Sequence, residues 1–186
     1  MAPSEHSYCV KKYLPVGTLL AAMAVTPRGF SYESGEGLLD AVISVFSHVD
    51  LGHMLPNIAV LLLLSRPWRV PAFRLFFVFL LGGLCGNIAV TVFSQRPVLG
   101  ASAGVLAVLV FETVLGVRQR DIPTGLLLSS TIAVLLYTAG FRVSQLQEGS
   151  SYVPHVVGVL VGILCVTGFS LISSRRIVTS VKVTGR

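Results

Sequence analysis

FRLFFVFLLGGLCGNIAVTVF, the stretch from Phe73 to Phe93, has one charged side chain, Arg74, near its start and nineteen uncharged residues after it. As a helix rising 1.5 Å per residue it reaches about 30 Å, the thickness of a bilayer's hydrocarbon core. Apolar runs of the same kind flank it at about Leu51 to Ser65 and about Val98 to Val117. Further out lie about Tyr13 to Thr26, about Ile122 to Phe141 and about Val153 to Ile172. With 53% hydrophobic and 12% charged residues over 186 positions, and a mean hydropathy of +0.81, the chain holds more apolar surface than a soluble domain of this length can bury. The expectation is an all-α membrane protein of six spans forming one domain, with no internal repeat or dividing linker.

The charges orient the spans. With the amino terminus in the cytoplasm, the inside segments hold Lys11, Lys12, Arg66, Arg69, Arg74, Arg118, Arg120, Arg175, Arg176, Lys182 and Arg186, eleven of the 14 lysines and arginines. The outside segments keep Arg28, Arg96 and Arg142 and carry Glu33, Glu36, Asp40, Asp50 and Glu148. This is the asymmetry of the positive-inside rule, so both termini are expected in the cytoplasm and, in a bacterium, the protein in the plasma membrane. The net charge of +6 is thus a topology signal, and no nucleic-acid partner is expected. Lys11-Lys12 followed by a short apolar run and Ala22-Met23-Ala24 also fits a cleaved secretory signal, which would leave five spans in the same orientation.

Outside the spans, the segment from Pro27 to Asp50 has an apolar middle, Leu38 to Phe46, expected to lie in the interface or pack on the bundle. Ser65 to Arg74 combines Pro67, Trp68 and Pro71 with three arginines and reads as an interfacial anchor. Cys9, Cys85 and Cys165 form no close pair and no metal-ligand spacing, so neither a disulfide nor a metal or other cofactor is expected.

Polar side chains inside spans are costly and often functional. His53, Asn57, Ser102, Glu112 and His155 are the candidates. His53 and Asn57, Ser102, and His155 each fall in the first turns of spans that start outside and run inward, at a common depth of about 5 to 10 Å. His53 and Asn57, spaced i, i+4, share one helix face. Glu112, ten residues beyond Ser102, is expected at the inner surface. A serine hydroxyl needs a base in hydrogen-bond reach to become a nucleophile, and His155 is the candidate base. Asn57, His53 and the backbone N–H near Ser102 could stabilise an oxyanion. With no carboxylate in that layer, the expected arrangement is a dyad rather than a triad. Alternatively, Ser102 among Gly100, Ala101, Ala103 and Gly104 is a small packing face, and the histidines clamp helices together.

These residues resemble the rhomboid family of intramembrane serine proteases. His48-x4-His53-x3-Asn57 at the second span, Gly100-Ala101-Ser102 at the fourth and His155-x2-Gly158-x3-Gly162 at the sixth follow the order of that family's three signature blocks. The resemblance implies a six-helix bundle that hydrolyses a peptide bond in or near a substrate's transmembrane helix. Ser102 would be the nucleophile, His155 the general base, and His53 and Asn57 the oxyanion and substrate-binding groups. The partners it implies are transmembrane protein substrates and the lipid bilayer, and it leaves the oligomeric state open. The family usually has glycine after the serine, Trp-Arg in the first outside loop, glutamate after the second span and an aromatic residue one turn past the serine. Here stand Ala103, Leu39-Asp40, no counterpart between Ser65 and Trp68, and Leu106. An inactive rhomboid-like protein that binds transmembrane helices is therefore the alternative.

Overall fold

The computed structural model describes residues 17–33, 36–64, 72–94, 97–118 and 153–183, and these contain six helical segments. They are α1 (17–25), α2 (Leu38–Phe46), α3 (Leu51–Leu64), α4 (Ala72–Ser94), α5 (Ser102–Arg118) and α6 (Val153–Val183). Of these, α4 over Phe73–Phe93 is the one helix among the described residues long and apolar enough by itself to cross a bilayer. Together α2 and α3 pass the same test as a pair bent by 85°. The expected fifth span, 122–141, and the outer loop after it lie outside the described residues, as do the start of the first span and 65–71.

The core is organised around α5. Every residue from Ala103 to Thr113 is buried, as befits a helix apolar on all sides. Two faces of α4 explain its glycines. Gly82 and Gly86, spaced i, i+4, face α5: a Cβ on Gly82 would collide with the Ala107 Cβ, and one on Gly86 would stand 2.6 Å from the Ala103 Cβ. Gly83 and Asn87, also i, i+4, face α2, where a Cβ on Gly83 would stand 2.6 Å from Val45 Cγ1. From α6, Gly158 meets the Ala103 backbone and Gly162 the Ala107 carbonyl. Glycine at these crossings lets backbones approach within direct contact, the packing that holds helices together where hydrophobicity cannot. Away from these glycines, Arg74 places its guanidinium 5.0 Å from the Phe169 ring, which meets Phe111 edge-on at 5.8 Å.

Three expectations change in detail. The fourth span was expected to be helical from Val98; instead 97–101 is non-helical, bridged to the first loop by Tyr32 and Val98, and the helix starts at Ser102. Gly100 at φ +123° explains this, because that backbone conformation cannot continue into a helix. The sixth helix runs past Ile172 to Val183. Glu112 is 2% exposed, with Oε1 unpartnered among the described residues, and so is a core residue, because the α5 core extends to its depth. The Leu38–Phe46 segment does pack on the bundle: Ala41, Ser44 and Val45 are buried, while Leu38 and Leu39 are exposed.

Candidate active site

Ser102 is the first helical residue of α5. The preceding turn is fixed from two sides. Tyr32 and Val98 exchange both backbone hydrogen bonds, at 2.8 and 3.0 Å, and the Gly100 N–H donates to the Ser44 carbonyl at 3.0 Å. The helix proper opens with the Val105 N–H on the Ala101 carbonyl at 2.9 Å. The Ser102 hydroxyl therefore projects from a helix N-terminus, where first-turn N–H groups lack intrahelical acceptors and the dipole favours negative charge.

His155 lies in the first turn of α6, which opens Val153-Pro154; proline near a helix start has its φ already set for helix. His155, Gly158 and Gly162 share one face of α6 by their i, i+3, i+7 spacing. Because Gly158 and Gly162 rest against the backbone of Ala103 and Ala107, that face is pressed onto α5. The His155 ring comes down beside Ser102, with Nε2 3.0 Å from Oγ. Both residues are half-buried. The His155 Nδ1 is buried with no hydrogen-bond partner among the described residues, so the ring is oriented by packing.

His53 and Asn57 sit on α3. Asp50 caps that helix: its Oδ1 accepts the His53 N–H at 2.7 Å and its carbonyl the Met54 N–H at 3.1 Å, the pattern expected of aspartate at this position. The His53 ring packs on the turn before Ser102, since a Cβ on Gly100 would stand 2.9 Å from His53 Cε1. Asn57 is 7% exposed. Its Nδ2 donates to the His53 carbonyl at 3.0 Å and lies 3.3 Å from His48 Nε2.

The His48 tautomer follows from its neighbours. Nδ1 lies 3.0 Å from the Phe46 carbonyl, a pure acceptor, so Nδ1 carries the proton and Nε2 accepts from Asn57. Burial, reinforced by His53 and only partly offset by the Phe46 bond, lowers the His48 pKa from 6.5 to about 4, consistent with a neutral ring. Both amide hydrogens of Asn57 are thus engaged within the α3 region. An oxyanion could recruit Asn57 only in exchange for one of these bonds, the 3.3 Å contact to His48 being the longer.

The structure accordingly brings Ser102 and His155 into hydrogen-bond contact, sets His53 against the turn before Ser102, and ties the Asn57 amide to the His53 carbonyl. Chemically, the pair can move a proton from Oγ to Nε2, and the α5 N-terminus can receive developing negative charge. One polar residue of this region is not among the candidates read from the sequence. Asn87 of α4 is 1% exposed and donates to Ser44 Oγ at 2.8 Å; its signal in the sequence is an amide alone in a long apolar run.

Compared with known proteins, residues 36–172 match the family model for the Rhomboid domain. Neither a curated protein nor a solved structure matches the chain.

Proposed function

Since the chain belongs to the rhomboid family, a family of integral membrane proteins, we propose that it is an intramembrane serine endopeptidase that cleaves transmembrane segments through a Ser102–His155 dyad. The observation carrying this reading is the 3.0 Å separation of His155 Nε2 and Ser102 Oγ, between groups 53 residues apart on different helices. In the reaction, Oγ attacks the scissile carbonyl carbon while its proton passes to Nε2, with Nδ1 protonated throughout. The tetrahedral oxyanion lies at the α5 N-terminus, near the Ser102 N–H and His53. Imidazolium then protonates the leaving amine, leaving an acyl-enzyme. Water, deprotonated by His155, attacks the ester and restores Oγ–H.

In the same reading the chain crosses the bilayer six times with both termini cytoplasmic, and the dyad opens toward the outside at about 5 to 10 Å depth. The exposed Leu55, Phe77, Phe93, Leu160 and Leu164 are consistent with surrounding lipid, which an apolar surface of this extent requires. Substrates are transmembrane proteins; no cofactor takes part in the steps above. A second reading, a rhomboid-like protein that binds transmembrane helices without cutting them, draws on the engaged Asn57 amide and the unsupported His155 Nδ1.

Reconstituted protein with a model transmembrane substrate separates the two readings. Ser102→Ala and His155→Ala are expected to abolish cleavage at unchanged expression and thermal stability. Cleavage by either variant at the parent rate would exclude the dyad.

A further inference from the structure

Asn87 has no part in the reaction just described, yet it is one of the more costly residues in the chain. An amide buried in the longest apolar helix loses its hydration and must recover it in hydrogen bonds. Asn87 Nδ2 donates to Ser44 Oγ at 2.8 Å, 43 residues away in the chain, and Ser44 is 0% exposed. The hydroxyl donates in turn to the Ala41 carbonyl at 2.9 Å, so the Ser44 side chain is held at both ends. The Ser44 carbonyl accepts the Gly100 N–H at 3.0 Å. Gly100, at φ +123°, is two residues before Ser102 and has the His53 ring against it.

Asn87 thus anchors, through one residue of α2, the backbone turn that aims the serine hydroxyl. The two helices also meet where Val45 lies against Gly83, one turn away on α4, and where the Phe46 and Phe79 rings stand 5.9 Å apart. What the amide adds is direction: van der Waals contact lets α2 slide, whereas a hydrogen bond of 2.8 Å fixes Ser44 in register. We infer that Asn87 is a positioning residue for Ser102, acting through the Ser44 hydroxyl and carbonyl on the Gly100 turn. This deepens the protease reading and rests on it for its catalytic consequence, but the strap itself is a structural statement with its own readout.

The test compares the full-length parent with Asn87→Ala and Ser44→Ala, each reconstituted in lipid. Amide hydrogen exchange of a peptide covering 97–104 is expected to quicken about tenfold in both variants, while α6 peptides containing Gly158 and Gly162 keep the parent's rates. Cleavage of the model substrate is expected to lose about tenfold in kcat with KM unchanged within about twofold. Unchanged exchange at 97–104 in either variant overturns the inference, and so does loosening that spreads equally to α6. A kcat at the parent's level alongside faster exchange overturns its catalytic part. If the parent itself fails to cleave while both variants loosen 97–104 alone, the protease reading falls and the strap stands.

Discussion

Replacing Gly158 by alanine tests whether a glycine contact sets the distance within the dyad. A Cβ at that position would run into the Ala103 carbonyl oxygen and stand 3.0 Å from both the Ala103 carbonyl carbon and Cα. Those atoms are backbone and cannot rotate aside. Ordinary contact needs about 3.5 Å or more between carbons, so α6 must retreat from α5 by about 1 Å. Ser102 and His155 lie within a turn of this crossing, so their separation grows from 3.0 Å toward about 4 Å, beyond a hydrogen bond. A misplacement of that size lowers kcat by about 100-fold, and the overpacking costs about 1 to 3 kcal/mol of stability. Initial rates on a transmembrane reporter in proteoliposomes, with thermal unfolding followed in parallel, measure both. Adding Ala103→Gly is an internal control: the clash is with backbone, so removing the Ala103 methyl does not restore activity. Cleavage within about threefold of the parent by Gly158→Ala would refute the claim that this contact positions the dyad.

Two further outcomes follow from neighbouring contacts. Gly86→Ala brings a methyl to 2.6 Å from the Ala103 Cβ and 3.2 Å from the Pro154 carbonyl oxygen, so it should lower activity and stability, and here Ala103→Gly should recover part of both in the double variant; absence of any rescue would refute the pairing. For His48, whose pKa falls from 6.5 to about 4 on folding, the unfolded chain binds the extra proton between those values. Stability is therefore fully present above about pH 6.5, declines as pH falls and levels off below about pH 4, and His48→Gln should flatten that part of an unfolding-midpoint profile. An unaltered slope in His48→Gln would show that other groups carry it.

The sequence reveals most about this molecule where position and apolarity along a single span suffice for the inference. The run from Phe73 to Phe93 needs only length and apolarity, and α4 covers it in full. Ser102 and His155 could be matched by depth because both open helices, and the observed pair spans 3.0 Å. What stayed hidden depends on which face meets which partner. Gly82, Gly83 and Gly86 read as generic small residues, and only the packing shows that they divide between α5 and α2. Asn87 gains its meaning from Ser44, a serine in what the sequence presents as an outside loop. Ala103 departs from the usual family residue, and the space its methyl needs is left by Gly86 on another helix. The depth of Glu112, ten residues beyond Ser102, points to the inner surface, but the burial of α5 reaches that far. Asn57 could be placed near the site by spacing, whereas the engagement of its amide by His48 and His53 depends on a ring tautomer set by the Phe46 carbonyl.

The central claim is that His155 activates Ser102, and covalent labelling tests it without a known substrate. Reconstituted protein treated with a fluorophosphonate and mapped by mass spectrometry should carry one adduct, on Ser102. Labelling should be lost in Ser102→Ala and reduced about 100-fold or more in rate in His155→Ala. An adduct elsewhere, or one formed on Ser102 as fast without His155 as with it, would contradict the account.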